Sequence, residues 1–562
     1  MVRAIDRDDH LGRLREEAFD LLIIGGGITG ATAARDAARR GYRTALIEAR
    51  DFAEGTSSRS SRLIHGGLRY LEHFEFDLVF EGSQERRRLL QIAPHHVHPL
   101  EFLFPIYQDG RVGRIKLDAG MWLYDALSLF RNIERHQMLS EEELLEKEPG
   151  LRAEGLLGGA RYFDAQVDDA RLVLSNVIAA TEAGAAVANR LEVQEVDTRD
   201  WPGHSVRVLD RESGGEWSVD ALVVLNATGP WTDRTAALAG VKDDPLLQPT
   251  RGTHIHVPRS RVGHEHAFIF ESPVDRRVMF VLPWRELTLI GTTDDFHDGP
   301  PQDVAPTAED VRYLLESTNH LFPDAELVES DVLSAWAGLR PLVVQSRGSE
   351  DGAEGEVSRD FVVRQEPIGF FTIAGGKLTS SRAMAEQAVD QIGEFLAEAD
   401  VTGERKCDTA RVPLPGGDFD DLEALCEHVS TRAADLGLDL AATYRLVRAY
   451  GTRADDVLDL VRERRELAAP LLEGLPYVAA DVVYAARCEL ALHLEDVVYR
   501  RTHLAMETHS RFRRACERTA GFMAEELGWS DGRMVSEIER AESLYARDDA
   551  WRADMNRAGN GE

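Results

Sequence analysis

The stretch that decides the fold is Phe19–Glu48, FDLLIIGGGITGATAARDAARRGYRTALIE. It reads as an apolar strand, a glycine-rich turn, an alanine-rich helix and a second strand. A continuously apolar strand is typical of a parallel sheet that is covered on both faces. Gly41 fits the position just after the end of the helix. The pattern therefore predicts a βαβ unit of a doubly wound α/β domain.

The glycine turn has the spacing G-x-G-x-x-G, which suits the pyrophosphate of a dinucleotide. Its glycines permit a tight turn, a close backbone approach and a close contact between helix and strand. The free N–H groups that begin the helix attract an anion, and a carboxylate at the end of the second strand binds ribose hydroxyls. The predicted cofactor contacts in this unit are Gly25, Gly27, Ile28, Thr29, Gly30 and Glu48. The unit alone leaves NAD and FAD open.

Two further junctions between a strand and a turn favour FAD. The apolar strand that ends in NATGPW, residues 226–231, is typical of flavoproteins whose chain returns to the cofactor. In IAGGKLTSS, residues 373–381, a helix N-terminus and a lysine can stabilise the negative charge of a reduced flavin. Ordinary structural turns are the alternative for both. The predicted contacts are Ala227, Thr228, Gly229, Gly376, Lys377, Leu378 and Thr379.

The segment SSRSSRLIHGGLRYLE, residues 57–72, crowds hydroxyls and cations into an otherwise acidic chain. Neither a buried strand nor a solvated helix needs that mixture. The segment lies where the chain passes from the nucleotide toward the isoalloxazine ring, so its hydroxyls can donate to phosphates and its glycines can approach the ring. The predicted cofactor contacts are Thr56, Ser57, Ser58, Ser61, Leu63, His65, Gly66 and Gly67, with Arg69 and Tyr70 on the substrate side.

The composition excludes some functions. A net charge of −33 over 562 residues argues against nucleic acid as a partner, which needs a positive surface. Five lysines beside sixty arginines favour a protein adapted to concentrated salt, with a GC-rich genome as the alternative source of the arginine. The four cysteines form no CxxC, so we expect free thiols in a cytoplasm and no metal site. We read neither a signal peptide nor a spanning helix.

The periodicity predicts an α/β fold in which a Rossmann-like domain is interleaved with a mixed-sheet substrate domain, and the motifs resemble the glutathione-reductase and glycine-oxidase type of FAD-binding domain. An all-α domain follows, because strand patterns vanish after about residue 400. The predicted segments are 19–94, 161–240 and 331–398 for FAD binding, 95–160 and 241–330 for substrate binding, 412–547 for the helical C-terminal domain, and 548–562 for a disordered tail.

Several motifs together resemble those of the FAD-dependent glycerol-3-phosphate dehydrogenases, respiratory enzymes of the glycine-oxidase-like flavoprotein superfamily. The resemblance covers residues 19–395, and the helical tail is similar to that family's C-terminal domain. HGGLRYLE together with QVDDARL is specific to the family, whereas the glycine motif is shared by many proteins. The motifs are IIGGGITGA, TSSRSSRLIHGGLRYLEHFEF, FDAQVDDARLVL, NATGPW, IGTTD, GLRPL, SRDF and GGKLTS.

The resemblance implies a site for a phosphorylated triol that faces the flavin. Arg340 in GLRPL and Arg359 in SRDF match the family's phosphate-binding arginines, and a guanidinium suits a phosphate dianion better than an ammonium does. By composition alone, either arginine would be a surface ion pair. The implied substrate contacts are Arg69, Tyr70, His254, Arg340, Arg359 and Lys377, and the implied catalytic set is His254, Arg69, Arg340, Lys377 and His65.

The implied reaction removes hydride from C2 of sn-glycerol 3-phosphate to flavin N5, while a base takes the proton of the C2 hydroxyl. His65 and His254 are the candidate bases, because imidazole titrates near working pH. We prefer His254. A hydrogen-bonded structural histidine is the alternative reading of each.

The chain lacks the C-terminal cysteine motifs of relatives that feed an iron–sulfur subunit, which favours direct reduction of a membrane quinone. The resemblance then implies peripheral attachment to the inner face of the membrane. The best docking candidate is Gly110–Arg131, GRVGRIKLDAGMWLYDALSLFR, and a core helix is its alternative. We also expect a homodimer. Three other functions stay open: an oxidase that gives its electrons to oxygen, an amine or hydroxy-acid oxidase, and a non-catalytic flavin-binding module.

Overall fold

The structure is a computed structural model that describes residues 4–68, 71, 74–198, 202–242, 244–344, 357–358 and 360–559. The predicted substrate residues Arg69, Tyr70 and Arg359 lie outside the described residues.

The strands fall into two large sheets and one small hairpin. In chain order they are β1 (Ala18–Ile24), β2 (Thr44–Ile47), β3 (Leu63–Ile64), β4 (Val97–Tyr107), β5 (Gln137–Leu139), β6 (Leu156–Val167), β7 (Ala186–Ala188), β8 (Leu191–Asp197), β9 (His204–Asp210), β10 (Glu216–Asn226), β11 (Thr250–Pro258), β12 (Ala267–Glu271), β13 (Val278–Trp284), β14 (Leu287–Gly291), β15 (Asp295–Phe296), β16 (Ser334–Arg340), β17 (Val343–Val344), β18 (Val357–Ser358), β19 (Phe361–Gln365) and β20 (Phe370–Gly375).

Some helices pack on the first sheet, others pack on the second, and most of those after residue 420 form a domain of their own. In chain order they are α1 (Arg7–Glu16), α2 (Ile28–Arg40), α3 (Phe76–Ile92), α4 (Arg114–Leu127), α5 (Glu141–Lys147), α6 (Asp169–Glu182), α7 (Thr232–Leu238), α8 (Arg259–Val262), α9 (Ala308–Leu321), α10 (Ser381–Glu398), α11 (Leu422–Ala434), α12 (Leu440–Tyr450), α13 (Ala454–Glu463), α14 (Ala479–Cys488), α15 (Leu504–Glu507), α16 (Phe512–Leu527), α17 (Asp531–Asp548) and α18 (Trp551–Gly559).

The first sheet has the order β19-β20-β10-β1-β2-β7, and β8 and β9 extend it beside β10. The central pairs of β1 with β2 and β10, and of β10 with β20, are parallel. Helices α2, α6 and α10 pack together over it. Because the carboxyl ends of parallel neighbours meet at one edge of a sheet, the loops after β1, β10 and β20 open on the same side.

The second sheet has the order β15-β11-β14-β13-β12-β4-β6-β3, with β16 beside β11 and β5 beside β6. It is mixed, since β12 pairs with β4 in parallel and the other pairs are antiparallel. The parallel core of the first sheet, the mixed second sheet and the helical C-terminal domain agree with the predicted fold class. That prediction is confirmed.

The helical C-terminal domain encloses its own apolar core, which includes Leu446, Val457 and Val483. Between α14 and α15 the chain forms a π-helix, Asp496–Arg501. None of the helices formed by the described residues is both long and apolar enough to cross a membrane.

Three predicted boundaries need correction. β16 was assigned to the FAD-binding segment 331–398, but it pairs with β11 in the second sheet. β6 runs across the boundary at residue 161 and also belongs to the second sheet. Strand periodicity identifies a strand without identifying its partner, which explains both errors. The predicted disorder of 548–562 was wrong over α18, because Trp551 is 1% exposed and anchors that helix in an apolar core.

Candidate active site

The nucleotide end of the site begins at the turn between β1 and α2. Gly25 has a φ of +111°, and a Cβ there would lie 2.6 Å from the carbonyl oxygen of Ala227. A Cβ at Gly30 would lie 1.9 Å from the carbonyl oxygen of Gly25. Side chains at these positions would therefore collide with the backbone. Because both residues are glycines, the turn forms a concave surface, the glycine cradle, in which a ligand can approach the main chain.

The first residues of α2 present N–H groups toward the cavity. The Ile28 N–H donates to Ser57 Oγ at 2.9 Å. Glu48 accepts from the Gly26 N–H at 2.7 Å and from the Arg50 N–H at 2.8 Å. Burial raises the pKa of Glu48 in spite of these donors. A helix N-terminus can bind a pyrophosphate, and a carboxylate held beside it can bind the two hydroxyls of a ribose.

The second sheet supplies the opposite wall. His254 on β11 lies opposite Gly291 of β14, and a Cβ at Gly291 would lie 2.2 Å from the imidazole ring. Glycine at that position therefore makes room for the ring. Arg340 ends β16, the other neighbour of β11. The antiparallel pairing thus brings both side chains to the same cavity.

His254 is held in one orientation. Its Nε2 lies 2.8 Å from Ser61 Oγ, and its ring stacks on Trp336 with centroids 5.3 Å apart. Its Nδ1 is buried and has no hydrogen-bond partner among the described residues. Burial, together with the positive charges of Arg340 and Arg62, lowers the pKa of His254 to about 3. The imidazole is therefore neutral near pH 7, so one of its ring nitrogens keeps a lone pair.

Arg340 is fixed by groups of the β14–β15 turn. Its Nη1 lies 3.0 Å from Asp294 Oδ1, and its Nη2 donates to Thr292 Oγ1 at 3.1 Å. Arg277, which also lines the cavity, donates to the carbonyl oxygen of Asp294 at 2.7 Å. Lys377 lines the cavity as well. Arg340, Arg277 and Lys377 are three of the cations that border this cavity, and together they can bind a phosphate dianion.

Most of the predicted site residues border one cavity of about 690 Å³. Three predicted cofactor residues stand behind its wall. Gly30 packs against the glycine turn, Gly66 donates its N–H to Asp164 and Tyr124, and Ser58 borders a small separate cavity against the C-terminal domain. The predicted residues that border the large cavity are Gly25, Gly27, Ile28, Thr29, Glu48, Thr56, Ser57, Ser61, Leu63, His65, Gly67, Ala227, Thr228, Gly229, His254, Arg340, Gly376, Lys377, Leu378 and Thr379.

Sequence reasoning missed several residues of the wall. Thr292 and Asp294 stand in IGTTD, a motif that was recognised without a role for its members. Arg277 carries no local signal, since it is one of sixty arginines on an ordinary strand connection. Its position follows only from the pairing of β12 with β13.

A glycine cradle at the edge of a parallel sheet, facing a mixed sheet that carries a neutral histidine, defines an FAD-dependent oxidoreductase. The family model described as FAD dependent oxidoreductase matches residues 20–391. The model described as the C-terminal domain of alpha-glycerophosphate oxidase matches residues 407–534. The cavity and its cradle fit the cofactor, so the predictions of an enzyme and of FAD are confirmed.

Similar proteins identify the family of FAD-dependent oxidoreductases to which the chain belongs. A glycerol-3-phosphate dehydrogenase of Synechocystis is 36% identical, and the alignment covers 94% of this chain and 96% of that protein. An aerobic glycerol-3-phosphate dehydrogenase of Staphylococcus aureus is 34% identical over 89% and 90% of the two chains. A structure of the glycerol-3-phosphate dehydrogenase from Bacillus halodurans, complexed with FAD, is 32% identical, has a TM-score of 0.80, and covers 97% and 98%. The chain belongs to the glycerol-3-phosphate dehydrogenase family, and the resemblance found in the sequence is confirmed.

Proposed function

We propose that this protein oxidises sn-glycerol 3-phosphate to dihydroxyacetone phosphate and passes the electrons to a membrane quinone. The observation that carries the proposal is the convergence of His254, Arg340 and Lys377 on the cavity that holds the glycine cradle. FAD, when bound, would supply the acceptor for the hydride, which carries two electrons and one proton. The relatives named above, which are called glycerol-3-phosphate dehydrogenases, support the choice of substrate.

The cationic wall binds the phosphate. Arg340 offers a planar guanidinium whose orientation is fixed by Asp294 and Thr292, which lowers the entropy lost when a ligand binds. Arg277 adds charge from the same sheet, and Lys377 borders the cavity from the loop after β20 of the first sheet. A phosphate dianion makes fuller use of this positive charge than the single carboxylate of a hydroxy acid or an amino acid does, so the amine and hydroxy-acid alternatives fit these cations less well.

His254 is the base. Its imidazole is neutral and borders the cavity, and Ser61 holds its Nε2. It takes the proton of the C2 hydroxyl as the hydride leaves C2, which prevents a positive charge from building up on the carbonyl product. His65 borders the same cavity and stays the second candidate.

The proposed quinone acceptor is supported by exposed apolar side chains on α3, on α4 and just after α4. We call this surface the α3–α4 patch, and it consists of Phe76, Phe80, Ile115, Trp122, Leu123, Leu129 and Phe130. Ile115 is 88% and Trp122 is 51% exposed. The other face of α4 buries Leu117, Met121 and Tyr124, so this helix packs on the protein and still exposes an apolar face. Such a surface suits the interface of a bilayer, where quinones dissolve.

Two further features support docking of the α3–α4 patch on an anionic membrane. Lys116, Arg131 and Arg135 are close in sequence to residues of the patch, in a chain whose net charge is −33, while Arg111 donates to Glu271. The buried face of α4 also contacts the segment behind the cavity wall, because Tyr124 Oη accepts from the N–H of Gly66 at 3.1 Å. The neighbours of Gly66 in this segment, His65 and Gly67, border the cavity.

A two-step experiment tests the proposal. Glycerol 3-phosphate added anaerobically to the purified holoenzyme should bleach the flavin, while glycerol should not. The reduced enzyme is then mixed with a short-chain quinone or with air-saturated buffer. Faster reoxidation by the quinone supports a dehydrogenase. If the quinone reoxidises the enzyme no faster than oxygen does, and peroxide forms in stoichiometric amounts, the protein is an oxidase. If glycerol 3-phosphate does not bleach the flavin in the first step, the protein is a non-catalytic flavin-binding module.

We also propose that the acidic surface adapts the protein to concentrated salt, because carboxylates stay hydrated where charge repulsion is screened. The melting temperature should rise by several degrees when potassium chloride is increased from low to molar concentrations. An unchanged melting temperature would contradict this adaptation. The homodimer and the position at the inner face of a membrane stay predictions.

A further inference from the structure

The loop between β2 and β3, residues 50–62, forms one wall of the FAD cavity. Arg50, Glu54, Thr56 and Ser57 border the cavity from this loop. The opposite side of the loop lies against the helical C-terminal domain, which contributes no residue to the cavity wall among the described residues. The loop therefore stands between the cofactor site and a domain that has no role in the proposed chemistry.

The strongest contact across this boundary is a buried ion cluster. Asp51 is 0% exposed and accepts from both Arg500 and Arg501, with Arg501 Nη2 at 2.9 Å from Asp51 Oδ1. The two arginines are adjacent in the π-helix, a form that often marks functional positions. Asn189 also donates to Asp51, at 3.2 Å. Burial alone would raise the pKa of Asp51, but the two guanidinium groups hold it below its ordinary value.

Two more contacts lie further along the loop. Arg59, which borders the FAD cavity, pairs with Asp548 of α17 at 3.3 Å. Arg62 is 1% exposed, and its Nη2 lies 2.8 Å from Met506 Sδ of α15. The C-terminal domain thus holds the loop at its start, its middle and its end.

We propose that the C-terminal helical domain is part of the FAD-binding apparatus, and that Arg500 and Arg501 are positioning residues that hold the 50–62 loop in its cofactor-binding conformation. Asp51 is ionised and buried, so the loop is stable in this place only while the arginines compensate the lost hydration. The hydroxyls of Thr56 and Ser57 follow five and six residues later and move with it. FAD then binds to a wall that is ordered in advance, which favours slow release.

The test measures FAD release from the holoenzyme. Arg501→Met keeps most of the side-chain volume and removes the charge, whereas Arg501→Lys keeps the charge. Arg445→Met is the matched control, because Arg445 is also buried in the C-terminal domain and pairs with buried Asp481, away from the loop. The rate of release is read from the rise in flavin fluorescence after dilution, and the melting temperature of each variant is read by circular dichroism.

We expect Arg501→Met to release FAD at least tenfold faster than the unmodified protein, Arg501→Lys to recover part of that loss, and Arg445→Met to stay within about twofold. Equal acceleration in Arg501→Met and Arg445→Met at equal melting temperature would overturn the proposal, as would unchanged release in Arg501→Met. If Arg501→Met does not fold, Asp548→Asn removes the partner of Arg59 on the partly exposed side of the loop. That variant should release FAD at least threefold faster, and unchanged release would again contradict the proposal.

Discussion

Ser61 Oγ lies 2.8 Å from His254 Nε2, and this contact joins the cofactor loop to the second sheet. The two residues are 193 positions apart in the chain and belong to different structural elements. Ser61 lies in the loop that follows the nucleotide-binding unit. His254 lies on β11, where Gly291 of the neighbouring strand leaves space for its ring. The hydroxyl therefore orients an imidazole that burial keeps neutral.

Replacing His254 by asparagine should lower turnover by about 10²–10⁴-fold, the usual contribution of a general base. Stopped-flow bleaching of the flavin by glycerol 3-phosphate measures the effect. Since the pKa of His254 is lowered to about 3, the unmodified enzyme should show no loss of rate from protonation of this group between pH 8 and pH 5. Ser61→Ala keeps the base and should cost less than His254→Asn. A reduction under about threefold in His254→Asn would assign the base elsewhere.

Gly30→Ala should abolish FAD binding, because the new Cβ would lie 1.9 Å from the carbonyl oxygen of Gly25 and would open the cradle. Absorbance of the purified protein near 450 nm measures the bound flavin. Gly521→Ala is the control, since a Cβ at that position in α16 meets nothing within 4 Å. That change should raise the free energy of unfolding by about 1 kcal/mol through helix propensity and keep the flavin. A yellow Gly30→Ala protein would contradict the cradle.

Arg340→Met should raise KM for glycerol 3-phosphate by roughly 10–100-fold, because a charge-assisted contact contributes about 1.5–3 kcal/mol. Arg340→Lys should restore only part of the affinity, since an ammonium cannot make the planar paired contact of a guanidinium. Steady-state kinetics with a soluble acceptor measure both constants. Arg312→Ala, on the exposed face of α9, should leave KM unchanged. Equal effects at the two positions would mean that Arg340 does not contact the phosphate.

The double variant Trp122→Asp, Leu123→Asp should lose attachment to vesicles that contain anionic lipid, because two charges would enter the apolar interface. Co-sedimentation with vesicles measures attachment, and activity with a soluble acceptor should stay within about twofold, as the changes lie at exposed positions. Leu440→Asp, Tyr444→Asp on α12 is the matched control, with side chains that are 77% and 51% exposed. If the Trp122→Asp, Leu123→Asp variant still attaches to the vesicles, the α3–α4 patch is not the docking surface.

The local sequence was sufficient for the nucleotide unit, because its turn, helix and strand are contiguous and Glu48 lies at a fixed offset from the glycines. The opposite wall could be placed only through the resemblance, since the approach of Arg340 to His254 depends on strand pairing between residues that are 86 positions apart. No local sequence pattern identifies Arg277 as a cavity residue, and none indicates that Arg501 contacts Asp51. Trp551 was missed for a related reason, because one apolar residue in a charged tail forms no periodic pattern.

The last prediction concerns His493, which links the C-terminal domain to the FAD-binding domain. Its Nε2 lies 2.6 Å from Glu212 Oε1, and its Nδ1 lies 2.8 Å from Glu537 Oε1, with Arg533 also nearby. Burial would lower the pKa of His493, but the two carboxylates raise it to about 9. Because this value lies above the ordinary value of the unfolded chain, the contribution to stability is complete below about pH 6.5 and is lost as the pH rises to about 9.

His493→Gln should therefore melt at a lower temperature than the unmodified protein at pH 6, and the difference should shrink toward pH 10. Thermal unfolding followed by circular dichroism at a series of pH values measures this difference. Glu212→Gln removes one of the two carboxylates and should give a smaller gap with the same dependence on pH. A gap of the same size at pH 6 and pH 10 would show that the contact between the domains does not depend on the charge of His493.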